Sequence, residues 1–440
     1  MTGIEVGAVS VVLIVVLIYA GLYVPVALGL VSFLGVWVLR GDIDMPINLL
    51  SLAVADTVLD YVFATIPLFA FMGLIVGKAG LGRDVYDVAN SAFYRIRGGL
   101  GIATVAANAV FASITGSSIA SATVFTRVAV PEMRRFDYTK QFSVGVVAGS
   151  SVLGMLIPPS AMLIIYAIVA EQSVGHMFIA GILPGILLSV AYGILILALA
   201  YAAPRLVGGR SPAKLREEGW EALTLAQMAA KLAPVVVLVL VVLGGIYTGW
   251  VTPVEAGAAG SLVAMIIAVL RRSLSPRALW EVMVDTGHIT AIIMFLIITA
   301  SMYSRMLGVA ALPTTFAAWL ETLNLGFTGM MIVYVLLLIM LGTIIDTASI
   351  ILIVVPLFLP AVETFGGDLV WFGIITVVGA EIGLLTPPLG LSCFAIKSAM
   401  DDPSITLYDI FAGAFPFAVT MLLVLILVIA FPSLSLMLVY

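Results

Sequence analysis

Apolar runs about as long as a bilayer is thick recur along the chain, separated by short polar connections. A helix rising about 1.5 Å per residue needs about 20 apolar residues to cross the hydrocarbon core. Residues 5–22 and 24–39 fit this requirement, with a tight turn before Pro25 between them, and a third span runs from Tyr61 to Lys78. Residues 40–60 read as a polar connection carrying Asp42, Asp44, Asp56 and Asp60, and residues 82–98 as a charged loop. The run 99–131 differs, because its middle, ITGSSIAS, is small and polar. Each flank holds only about 13 residues, or about 20 Å of helix against a core of about 30 Å. Neither arm can cross alone, so the pattern predicts a re-entrant hairpin with its tip at Thr115–Ser118.

A long apolar segment, 141–170, then holds a double proline, and residues 177–203 return across the membrane. The polar stretch 204–232 has apolar residues at helical spacing between charges, which predicts an amphipathic helix at the membrane surface joining two halves. The second half repeats the order with spans at 233–249, 254–270 and 285–307, then a run at 329–361 interrupted by GTIIDTAS. A second proline-broken helix, 370–400, and a last span, 408–431, complete it. The prediction is an all-α polytopic membrane protein built from residues 1–203 and 233–440, each half with five crossings and one hairpin.

The two double prolines expose an internal repeat. GSSVLGMLIPPSA occupies 149–161 and VGAEIGLLTPPLG occupies 378–390, which sets Pro387 at an offset of 229 from Pro158. The same offset carries Gly154 onto Gly383, Ser118 onto Thr347 and Ser117 onto Asp346. Proline removes backbone donors where lipid supplies no substitute, so a broken helix persists only where it lines a polar site. Paired interruptions in two halves point to the binding site of a secondary transporter.

Composition agrees: 63% of the 440 residues are hydrophobic and 10% charged, with a mean hydropathy of +1.25. Five crossings per half is an odd number, so the halves must have opposite orientation. If the first hairpin opens to the cytoplasm, the loops 82–98, 127–140, 204–232 and 271–277 are inside and hold 15 of the 19 Lys and Arg residues. The positive-inside rule therefore places both termini outside and brings the hairpins in from opposite faces. The N-terminus lacks a basic region before its apolar run and reads as a retained span rather than a signal peptide. No basic tract suggests nucleic acid. The single Cys393 excludes an intramolecular disulfide, and His176 and His288 lack the companions of a metal site or proton relay.

Loose carbonyls at helix C-termini and in unwound turns favour a small cation such as sodium, and helix N-termini favour an anionic group. Ser113, Gly116, Gly154, Ile157 and Pro158 form one candidate cation shell, and Gly342, Gly383, Thr386 and Pro387 its counterpart. Each glycine could instead serve only close helix packing. Asp346 lies at the second hairpin tip, where an acid either meets an ion or substrate or stabilises the hairpin. Arg305 could meet an anion, snorkel to the outer interface, or pair with an acid such as Asp346. Glu381, at the position matching Val152, and Arg127 suit structural ion pairs, and Glu255 suits a membrane interface. GLIVGKA at 73–79 is one residue short of a phosphate-binding loop and lacks its Ser or Thr, so nucleotide-driven pumping by this chain is not expected. No His cluster, facing Asp pair or Ser-His pair suggests an intramembrane enzyme, and no cofactor is expected.

FASITGSSIASATVFTRVAVPEMRRFDY, GVVAGSSVLGMLIPPSAMLIIYA, GTIIDTASIILIVVPLFLP and GAEIGLLTPPLGLSCFAIK together resemble the large permease subunit of tripartite ATP-independent periplasmic (TRAP) transporters. The resemblance spans essentially the whole chain. It implies a bacterial inner-membrane symporter subunit with an elevator-like mechanism, driven by sodium and carrying a carboxylate delivered by a periplasmic binding protein. It also implies a small four-span membrane subunit, here a separate chain, since only three spans precede the first hairpin. The family's sodium positions fall on the hairpin and broken-helix residues above, and its substrate region on Asp346, Arg305, Ser117, Ser118 and Thr347. A stand-alone sodium/anion symporter of the same architecture is the alternative.

Overall fold

The computed structural model describes residues 2–207, 222–323, 326–400 and 402–440. Regular structure among these is helical. Side-chain caps start many of the helices: Thr2 with Glu5 and Thr252 with Glu255 form capping boxes, each using both partners to satisfy first-turn amides. Glu255, expected near an interface, is thus the N-terminal clamp of the helix Pro253–Leu270, with Oε2 accepting from the Thr252 amide at 2.8 Å.

Among the described residues seven helices are long and apolar enough to cross a membrane, or eight when the bent pair Lys140–Leu156 and Ala161–Val169 is taken as one span. Three of the ten expected crossings rest on shorter helices, Gly3–Tyr19, Val24–Arg40 and Leu369–Leu384. Each holds 16 or 17 residues, near the lower limit for a span. The helix pairs Gly99–Thr115 with Ser118–Arg135 and Gly326–Gly342 with Thr347–Thr364 occupy the two expected hairpin runs, but their arms hold 17 or 18 residues rather than about 13, and Thr347–Thr364 is itself one of the seven helices long enough to cross.

Polarity misled the reading of three connections. Asp44–Leu59, Leu81–Phe93 and Leu312–Thr322 are helices. Leu81–Phe93 buries Leu81, Val85, Tyr86 and Val88 on one face, leaves Arg83 exposed and partly covers Asp84 and Asp87, a one-sided pattern that scattered Arg and Asp residues disguise. Residues 208–221, which hold most of the expected amphipathic connector, lie outside the described residues.

Some helices recur at the spacing of the double prolines. Ser118–Arg135 and Thr347–Thr364 have 18 residues each and start 229 positions apart. Asp44–Leu59 and Thr65–Lys78 fall at the positions of one 34-residue helix, Pro276–Val309. The earlier pair is broken at Asp60, whose carboxylate accepts from the Val62 amide at 2.9 Å.

Small residues let the helices approach. A Cβ on Gly145 would lie 2.2 Å from the Gly413 carbonyl oxygen, and one on Gly149 would lie 2.4 Å from Phe417. The first broken helix and Leu407–Ala430 therefore touch backbone to backbone. On the other side of the fold, Asp84 of Leu81–Phe93 binds both Lys231, at 2.8 Å, and Arg271. Burial works against the Asp84 carboxylate, but the hydrogen bonds from Lys231 and Arg271 outweigh it and hold its pKa below the usual value.

Candidate functional site

Both hairpin tips, the first helix break and the residues that flank the second line one cavity of about 430 Å³. Gly116, Ser117 and Ser118 come from the first tip, Pro159 and Ser160 from the first break, Asp346 and Thr347 from the second tip, and Leu391 and Ser392 from just after the second break. Ile66, Phe69 and Leu74 of the span Tyr61–Lys78, with Ile289 and Ile293 of Pro276–Val309, close the remaining wall.

The first tip is seated by glycine. Gly116 has φ +57° and ends the first arm; a Cβ there would lie 2.6 Å from the Pro159 carbonyl oxygen. A Cβ on Gly154 would lie 2.9 Å from the Ser117 carbonyl oxygen. Gly116 and Gly154 thus meet across one hairpin-on-break junction, whereas Ile157 and Pro158 pack toward Gly185 and Gly181 and the Ser113 hydroxyl donates to the Val110 carbonyl. At the second junction, Gly342 and Gly383 meet backbone to backbone, a Cβ on either lying within 2.9 Å of the other's Cα. The Thr343 carbonyl accepts from the Leu389 amide at 3.1 Å, so Thr343 joins the second hairpin to the second break. Sequence offset missed Thr343, because its counterpart Ile114 shows nothing of a carbonyl's role. Thr386 is tied to its own helix, its hydroxyl donating to the Ile382 carbonyl at 2.8 Å, and Pro387 is exposed, unlike the buried Pro158.

Ser117 and Asp346, equivalent by offset, have one job in common. Each caps the second arm of its hairpin: Ser117 Oγ accepts from the Ala120 amide at 3.3 Å, and Asp346 accepts from the Ser349 amide at 3.2 Å and from the Ser349 hydroxyl. Of the two roles open to Asp346, the structure supplies hairpin stabilisation and also places it on the cavity wall. Thr347 donates to Glu381 Oε1 at 2.7 Å, and Ser118 has a buried hydroxyl with no hydrogen-bond partner. Arg305 is not in this cavity. It pairs with Asp56 in a separate cleft of about 380 Å³ that Asp60 and Glu171 also line. Ser392 was not recognised in the sequence; its buried, unpartnered hydroxyl on the cavity wall becomes visible only in the folded chain.

Residues 11–434 match the model of the DctM component of tripartite ATP-independent periplasmic transporters. The chain belongs to the DctM family. This family member is 33% identical over 411 residues to the C4-dicarboxylate TRAP transporter large permease protein DctM of Pseudomonas aeruginosa, covering 93% of each chain. It is 29% identical to the sialic acid TRAP transporter large permease protein SiaM of Vibrio cholerae, covering 96% of each. Its fold is similar to that of the Alcanivorax borkumensis YdaH transporter, with a TM-score of 0.57 at 16% identity over 84% of this chain and 86% of that one. These matches confirm the resemblance drawn from the hairpin and double-proline motifs. The DctM-family chain is a multi-pass membrane protein and a TRAP large permease subunit.

Proposed function

We propose that this subunit carries an organic acid inward across the bacterial inner membrane, coupled to sodium, by movement of the hairpin-bearing part against the spans that face it. The convergence of both hairpin tips, the first break and the flanks of the second on one cavity supports this reading. Apolar wall on one side and helix ends on the other make a site that can face either surface as the two parts slide. The halves 1–203 and 233–440 are read as inverted repeats, with both termini periplasmic. Sodium is the second cargo, held at the two hairpin-on-break junctions by backbone carbonyls around Gly116, Gly154, Gly342 and Gly383. The partners are a small membrane subunit on a separate chain and a periplasmic protein that delivers the carboxylate.

Reconstitution with those partners in liposomes tests this. Uptake of a carboxylate should require both an inward sodium gradient and the binding protein. Uptake that persists when sodium is replaced by choline would remove the coupling, and uptake without the binding protein would favour a stand-alone symporter.

A further inference from the structure

Beyond transport, we propose that this subunit binds an anionic phospholipid at the end of the helix Val174–Ala202, with the lipid phosphate on the Arg97 guanidinium and the acyl chains along that helix. Gly98 seats the turn before the first hairpin on the helix end: its φ is +77°, and a Cβ there would lie 3.2 Å from both Ala200 and Ile196. This close seating carries Arg97 over the Tyr201 ring, with Cζ 5.8 Å from the ring centroid. Arg205 follows Tyr201 by one turn's length of chain, in the short helix Pro204–Leu206. That segment is braced from its other side, because the Thr139 amide donates to the Leu206 carbonyl at 3.0 Å and Val207 bridges to Tyr138. Arg205 therefore adds positive charge at the same helix end.

Neither Arg97 nor Arg205 forms an ion pair among the described residues, and both are exposed. Arg95 lies two residues from Arg97, its Nε donating to the Tyr94 hydroxyl at 2.7 Å. An open guanidinium fork matches a phosphate, which accepts from it at two oxygens. The apolar half of the ligand has its own surface. Ile186, Val190, Ile194 and Tyr201 are all exposed and fall within about 80° of one another around the helix. From Val190 to Tyr201 the stripe runs about 16 Å, close to half of a hydrocarbon core of about 30 Å. The ring that carries Arg97 thus ends the stripe, so charge and apolar surface are continuous. A zwitterionic headgroup would bring a second cation among three arginines, which favours an anionic one.

Native mass spectrometry of the full-length chain, released from neutral-detergent micelles, counts bound lipid as phosphatidylglycerol or phosphatidylcholine with identical chains is added. The first phosphatidylglycerol should bind at about one fifth of the concentration that phosphatidylcholine needs, or less. Arg97→Gln should raise that concentration about fivefold and Arg97→Lys by less, since lysine keeps the charge and loses the fork. Tyr201→Ala, which removes the ring beneath the guanidinium, should raise it about threefold. The control is Arg272→Gln, which removes an exposed charge elsewhere and should change it less than about twofold. Glycerol 3-phosphate carries the charge without the chains and should not displace the lipid at equal concentration. Equal binding of the two lipids, phosphatidylglycerol binding that Arg97→Gln leaves intact, an equal loss in Arg272→Gln, or displacement by glycerol 3-phosphate would each overturn the proposal. Should the variants fail to fold, the wild-type chain in nanodiscs of either lipid reads the same preference: a higher melting temperature in phosphatidylglycerol supports the site, and one independent of headgroup overturns it.

Discussion

Thr347 Oγ1 donates a hydrogen bond of 2.7 Å to Glu381 Oε1, with both residues buried. The bond ties the tip of the second hairpin to the helix behind it, one residue after the Asp346 cap. Thr347→Val should cost about 1–3 kcal/mol, because it leaves a buried carboxylate oxygen without its donor. Thr347→Ser should restore most of the loss. Glu381→Gln keeps an acceptor oxygen and should melt above Glu381→Ala, whose truncation also opens a hole. Thermal unfolding in one detergent ranks all four, and equal melting temperatures for Glu381→Gln and Glu381→Ala would mean that the bond contributes nothing.

Close backbone contact makes Gly383 intolerant of any side chain. A Cβ there would lie 2.5 Å from the Gly342 Cα and 2.7 Å from the Ile339 carbonyl oxygen, and neither can swing away. We expect Gly383→Ala to displace the second hairpin and lower both folded yield and sodium-dependent uptake. Gly193→Ala is the control: nothing lies within 4 Å of the added methyl, and helix propensity favours Ala by up to about 1 kcal/mol. Size-exclusion profiles of the two variants separate these outcomes.

Asp84 should make stability fall at acid pH. Its carboxylate has a folded-state pKa below the unfolded one, so its contribution is present above about pH 4 and is lost as pH falls through the folded value. Asp84→Asn should cost about 1 kcal/mol near pH 7, allowing for solvent screening, and should flatten the decline below about pH 5. Melting curves across that range check the slope, and parallel curves for wild type and variant would refute the assignment.

Arg305 stands apart from the cavity, paired with an Asp56 whose side chain is 62% exposed. Exposed pairs contribute little, so Asp56→Ala should lower stability by less than about 1 kcal/mol. Arg305→Ala also removes a partly buried stem and should cost somewhat more. Neither should change which carboxylates the reconstituted transporter takes up. A changed ligand preference in Arg305→Ala would bring Arg305 back into the binding site.

Local chemistry made much of the architecture legible. A small polar tip inside an apolar run marks where each helix pair turns, and adjacent prolines cannot continue a helix, so the chain's own pattern located the turns and the breaks, although the arms fold to 17 or 18 residues and Thr347–Thr364 is long enough to cross. The helices Asp44–Leu59, Leu81–Phe93 and Leu312–Thr322 were not legible, since polar residues on one face look like loop when the buried face is unknown. Offset arithmetic paired Ser118 with Thr347 and Val152 with Glu381, but it could not say that one hydroxyl is spent and the other free. That difference depends on which side chain lies across a packed interface. The pairing of Arg305 with Asp56 rather than Asp346 was likewise decided in three dimensions, because residues hundreds of positions apart become neighbours only when the helices pack.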